Sequence, residues 1–324
     1  MATSVDQQLS IYLTDVHAIE LQALEQVKRA RKVAGDPELE AAFAEHMRET
    51  ERHRTYVEDR LMARSWAPVP QKDLTGKVSG VGMALFARFQ PDTPGKLVVH
   101  AYAYERMEMA AYDLLGRLAD RAGDDETVLT TRMIEQEERA MADRLAALFD
   151  RAVDASLREL PADDVSKQLD KYLADAHAIE EQGAKLLQKA PKLAGADELA
   201  SAFEEHSEET GRHAELVERR LRDRGGGPSA IKDAALRLGA LNLGMFLKAQ
   251  TDTPAKLAGV AYAFEHLEVA AYELLKRVAA RAGDEQTVLM TDEVLFEERA
   301  AAGRVQSLFD QALEASLQEA GVKA

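Results

Sequence analysis

The chain has 324 residues, 46% of them hydrophobic and 30% charged, with a formal net charge of -16. That length supports two ordinary domains with sizeable cores, and the composition is that of a folded globular chain rather than a disordered one. The acidic surplus argues against nucleic acid or anionic membranes as partners, and the lack of cysteine excludes disulfides, thiolate chemistry and Cys-bound zinc.

In chain order, the opening MATSVDQQLS has neither the basic start nor the apolar core of a signal peptide. No apolar run approaches membrane-spanning length, so a cytoplasmic location without membrane contact is expected. The first predicted helix runs roughly from Val5 to Val33 and stops at Gly35. Asp36-Pro37-Glu38 starts the second, with a capping residue, proline at the first helical position and an acid in the first turn. It fades near Trp66-Ala67-Pro68, and a crossover of roughly 25 residues follows, holding a short apolar helix at about 78–89. DTPGK begins the third helix, with Thr93 as N-cap and Pro94 at the first helical position. Gly123 ends it, and Asp124 caps a fourth helix predicted to continue to about Leu157. Pro161, in ELPADD, then breaks the chain.

After that break the pattern begins again. A shift of 160 residues aligns the two halves without gaps. DVHAIE at 15–20 meets DAHAIE at 175–180, and AYAYERMEMAAYDLL at 101–115 meets AYAFEHLEVAAYELL at 261–275. EHMRETERHR at 45–54 meets EHSEETGRHA at 205–214. The period is too long for a solenoid, so each repeat is predicted to be a domain, 1–160 and 161–324. Two helical hairpins joined by a long crossover predict one all-α four-helix bundle per repeat.

At about 100° per residue, every long helix has an apolar stripe interrupted by ionisable groups. In the first helix Leu9, Leu13, Val16, Leu24 and Val27 surround Glu20, and the second copy places Glu180 likewise. In the second helix His46 and His53 fall inside the stripe of Leu39, Phe43, Val57 and Leu61, and Glu49 falls on its edge. In the third, Leu97, Ala101, Tyr104 and Leu115 flank Glu108, with Glu105 one turn earlier. In the fourth, Ile134, Leu145, Phe149 and Ala152 flank Glu138, while Glu137 points away. The counterparts in the second repeat are His206, Glu209, His213, Glu265, Glu268 and Glu298.

Height agrees with direction. Glu20 lies 15 residues and Glu49 14 residues from Gly35, and Glu108 and Glu138 each lie 15 from Gly123. These four carboxylates are therefore predicted to meet in one layer at mid-bundle. Burying bare carboxylates together costs several kcal/mol each, so they must be protonated or share a multivalent cation. Carboxylates with imidazole and no thiolate suit iron(II) or manganese(II). His17 and His177 lie beside the stripe, and Tyr112 and Tyr272 share the face of Glu108 and Glu268.

DVHAIE, AAFAEHMRET, ERMEMAAYDLL and EQEERA, with their second copies, resemble ferritin-like domains of the YciE/YciF type, a bacterial stress-associated group. The resemblance implies two tandem ferritin-like four-helix bundles, packed as an intrachain pseudo-twofold pair. It implies two metal ions per repeat, iron before manganese, and no organic cofactor. Glu20, Glu49, Glu105, Glu108 and Glu138 would be ligands, as would Glu180, Glu209, Glu265, Glu268 and Glu298. The chain departs from the usual di-metal pattern in lacking Glu-x-x-His and any histidine on the fourth helix. Either His46 or His53, and either His206 or His213, can supply the nitrogen. The expected activity is reaction with O2 or peroxide, or oxidation of Fe(II), in a stress-protective role. The rival expectation is a structural or interaction protein whose metal site is vestigial or only stabilising.

Overall fold

The computed structural model describes residues 4–66, 93–158, 160–226 and 253–322. In the first repeat α1 spans Val5–Val33, α2 Pro37–Ala63, α3 Pro94–Arg121, α4 Asp125–Ala147 and α5 Phe149–Leu157. In the second, α6 spans Ala162–Leu187, a 3-10 turn Ala190–Leu193, α7 Asp197–Asp223, α8 Thr253–Arg281, α9 Glu285–Ser307 and α10 Phe309–Glu319. No strand occurs among the described residues.

Three helix starts of the first repeat follow from their capping residues. The Asp36 carboxylate accepts the Glu38 and Leu39 N–H groups ahead of Pro37, and the Thr93 hydroxyl accepts that of Lys96 ahead of Pro94. Asp124 accepts the Thr127 N–H at the start of α4. Gly35 and Gly123 have φ of 63° and 68°, the left-handed conformation that turns the chain at low cost without a Cβ.

One boundary differs from the sequence reading, and one differs between the two repeats. The fourth helix does not continue unbroken to Leu157. Leu148 sits at φ -95° and ψ 1°, and its N–H bonds to Leu145, three residues back, at 3.0 Å. This tightened turn redirects α5, whose Arg151 reaches Asp36 at 2.8 Å. In the second repeat the first helix ends early, at Leu187, because Pro191 has no N–H to continue it. The short crossover helix expected at about 78–89 lies outside the described residues.

Packing places α1 against α2 and α3, and α4 against α2 and α3, so α1 and α4 face each other across a diagonal. At one end of the bundle Arg60 and Arg64, closing α2, bind Asp124 at 2.8 and 2.9 Å. Arg64 also binds Asp6 at the start of α1. At the other end Pro94, opening α3, lies against Gly35. Helices α2 and α3 therefore run in the same direction, and the crossover joins Trp66 and Thr93 at opposite ends of the bundle. Leu9, Leu13, Phe43, Leu61, Ile134, Leu145 and Phe149 fill the core above and below the middle. Each contributes about 1.5–3 kcal/mol by leaving water.

The two repeats pack through α3 against α8, assisted by α5 on α8 and α10 on α3. Three cross-repeat ion pairs of the first repeat have counterparts with the roles exchanged. Arg117–Asp310 at 2.6 Å answers Arg277–Asp150 at 3.4 Å, and Arg121–Glu314 answers Arg281–Asp154, both at 2.7 Å. Lys96–Asp175 at 3.2 Å answers Lys256–Asp15 at 2.9 Å. Such reciprocity is what a twofold-related interface shows, here between two parts of one chain.

Replacing Asp124 by Ala removes the α4 cap and the shared carboxylate of Arg60 and Arg64. The expected cost is about 1–2 kcal/mol, read as a lower urea midpoint, and an unchanged midpoint would contradict the assignment.

Candidate metal centre

Each long helix of the first repeat delivers part of one mid-bundle cluster. α1 brings Glu20, α2 His46 and His53, α3 Glu105 and Glu108, and α4 Glu138, and all are buried. His46, Glu105, Glu108 and Glu138 each offer a ligand atom, all within 4.8 Å of one another. Glu20, His53 and Glu138 form a second such group, so Glu138 belongs to both. The second repeat repeats this arrangement with His206, Glu265, Glu268 and Glu298, and with Glu180, His213 and Glu298.

Both histidines of α2 point one nitrogen inward. His46 Nε2 lies 3.2 Å from Glu105 and 3.8 Å from Glu138, while His53 Nδ1 lies 2.8 Å from Glu138 and 3.9 Å from Glu20. In the second repeat His206 Nε2 is 2.5 Å from Glu265, and His213 Nδ1 is 2.7 Å from Glu298. Each histidine turns its other nitrogen outward to a carboxylate: His46 Nδ1 to Glu49 at 3.3 Å and His53 Nε2 to Glu137 at 2.7 Å. In the neutral imidazole that outer bond selects the tautomer whose inner nitrogen keeps its lone pair, the form a metal-binding histidine takes.

The inner atoms do not satisfy one another. Neither oxygen of Glu108 or of Glu138 has a hydrogen-bond partner, nor do Glu20 Oε2, Glu105 Oε2 and His53 Nδ1. His53 Nδ1 and Glu138 are close but not aligned as donor and acceptor. The same atoms are orphaned around Glu268 and Glu298. An orphaned buried polar atom costs about 1–3 kcal/mol, so such a set calls for protons or a cation among its oxygens, and the donor set could hold a metal ion.

Glu49 and Glu209 lie outside these groups, at the seam between the second and fourth helices, in keeping with the edge position of Glu49 on its stripe. Glu137 points away from the core as its helical position requires, yet it holds His53 and also accepts from Arg52 at 3.0 Å. His17 pairs with Glu58 at 3.0 Å, and neither His17 nor His177 belongs to the groups. The Tyr112 hydroxyl donates to Glu20, and that of Tyr272 to Glu180 at 2.5 Å. Tyr104, read from the sequence only as core packing, also borders the cluster, and its hydroxyl donates to the Ile19 carbonyl at 3.1 Å. The tyrosine spacing was readable; the role of Glu137 needed the position of α2.

The family described as Domain of unknown function (DUF892) matches residues 4–158 and again residues 164–318. The chain belongs to the DUF892 family. The two DUF892 segments carry the same buried His/Glu groups in the same register. Among the described residues, no helix is long and apolar enough to cross a membrane.

Without a cation, each DUF892 domain holds protons at its centre. Burial, aided by the Glu138 carboxylate, pushes Glu20 up to about 8, and burial beside Glu298 does the same to Glu180. Glu108 and Glu268 are raised well above the usual range by burial and the surrounding carboxylates. Burial alone would lower His53 and His213, but their carboxylate neighbours outweigh it and push both up to about 9. Every one of these groups binds its proton more tightly folded than unfolded. Their contribution to stability is thus complete below about pH 4.5, the unfolded carboxylate value, and is lost as pH rises through 8 and 9. The melting temperature of metal-free protein should fall steadily between about pH 5 and 9. A melting temperature that rises across that window would contradict the buried cluster.

Proposed function

We propose that each domain is a non-haem dinuclear carboxylate centre of the iron or manganese class, which reacts with O2 or peroxide or oxidises Fe(II). The observation that carries this reading is the pair of ligand groups sharing one carboxylate, Glu138 in the first domain and Glu298 in the second. Glu20 and His53 would hold one ion, His46, Glu105 and Glu108 the other, and Glu138 both. Two divalent ions also balance the four buried carboxylates Glu20, Glu105, Glu108 and Glu138. One ion would leave net negative charge in an apolar core.

Ions of this class, when bound, supply a change of oxidation state and open positions for a small oxidant. The chain supplies the rest. Glu49 and Glu137 fix the two imidazole tautomers, Tyr112 orients Glu20 by its hydroxyl, and the leucine and phenylalanine layers on either side exclude bulk water. The likeness to stress-associated ferritin-like domains agrees with a protective role.

Protein purified without added metal or chelator should hold close to two ions per domain by elemental analysis. Glu138→Ala combined with Glu298→Ala should lose most of that metal and the ability to oxidise added Fe(II). Removing metal from the parent protein should lower its melting temperature at pH 8, where the cluster would otherwise shed protons. Equal melting with and without chelator, with no oxidation of Fe(II), would favour a purely structural protein.

A further inference from the structure

The seam between the second and fourth helices carries two outward-facing carboxylates per domain, each touching a cluster histidine and each within reach of an arginine. At the His53 position the arrangement is the same in both domains. Glu137 binds His53 at 2.7 Å and Arg52 at 3.0 Å, and Glu297 binds His213 at 3.0 Å and Arg212 at 3.1 Å.

At the His46 position the residues are the same but their arrangement differs. In the first domain Arg144 of α4 pairs with Glu45 at 3.2 Å, on the exposed side of α2. In the second, Arg304 donates instead to Glu209, the carboxylate bound to His206 Nδ1 at 2.9 Å. Glu45/Glu205, His46/His206, Glu49/Glu209 and Arg144/Arg304 are identical pairs, so one side-chain set adopts two positions. Glu49 lies between solvent and His46, whose other nitrogen faces the cluster, and its side chain is 14% exposed.

We propose that Arg144 and Arg304 gate a divalent-cation port formed by Glu45 and Glu49, and by Glu205 and Glu209. With the guanidinium on the inner carboxylate, as in the second domain, the port is closed, because its negative charge is neutralised and Oε2 of Glu209 is engaged by both Arg304 and His206. With the guanidinium drawn out to the outer carboxylate, as in the first, the inner carboxylate keeps its bond to His46 but has no arginine bound to it, and can take up a cation on its way to the cluster. At the Glu137 position the arginine sits on the inner carboxylate in both domains, so that position stays shut. Electrostatic focusing at a mouth lined by one sign of charge raises capture rates, and a fixed cation there opposes it.

This gate rests on the dinuclear reading, and the test separates the two. Metal-free protein is mixed rapidly with cobalt(II), the free ion is followed with a fluorescent indicator, and final metal content is measured. Arg144→Ala with Arg304→Ala should fill faster, on the order of 10-fold, to the parent stoichiometry. Glu45→Gln with Glu205→Gln, which removes the outer acceptor, should fill more slowly to the same stoichiometry. Filling at the parent rate in both variants, or slower filling in the arginine variant, overturns the gate while leaving the centres in place. No uptake by the parent protein overturns the dinuclear reading and the gate with it.

Discussion

Ionisable side chains buried at the middle of an otherwise apolar bundle are the constraint on which this structure depends. Glu20, Glu105, Glu108 and Glu138 come from three helices and sit where leucine would be worth more to folding. Their burial is tolerable only with protonation or compensating charge, and the two histidines of α2 provide part of the latter. Everything near the cluster serves that need. Tyr112 donates inward to Glu20, while Glu49 and Glu137 take up the outer imidazole nitrogens. The remaining orphaned oxygens lie close enough together that the cluster could hold a cation.

Much of this was legible in the sequence because helical periodicity is a strict ruler. Stripe positions and distances from Gly35 and Gly123 were enough to bring Glu20, Glu108 and Glu138 to one level. The caps at Asp36, Thr93 and Asp124 could be read from residue type alone. Less legible were features set by how helices face one another. The sequence left His46 and His53 as alternatives, but they lie about two turns apart on α2 and each meets a different part of the cluster, with Glu138 between them. Glu49 was placed level with the other carboxylates, but its edge position turns it to the seam, where it supports His46. The break at Leu148 has no proline or glycine to announce it; it is made by the turn that brings Arg151 to Asp36.

The duplication adds an internal comparison. One chain packs its two bundles about a pseudo-twofold relation, with reciprocal ion pairs around α3 and α8, so the two centres share scaffold and surroundings. Where they differ, the difference is local. Tyr104 and Ala23 in the first domain are replaced by Phe264 and Gly183 in the second, and a Cβ on Gly183 would come within 2.9 Å of Phe264 and 3.1 Å of Glu268. The second domain thus lacks one hydroxyl beside its carboxylates and packs more closely around them.

The most direct test is an anomalous-difference map of crystals grown from protein purified without chelator, collected on both sides of the iron and manganese absorption edges. The account predicts two peaks in each bundle, about 3.5–4 Å apart, with Glu138 or Glu298 between them and His46 and His53, or His206 and His213, on either side. An absence of peaks, with the carboxylates and imidazoles paired to one another, would contradict it.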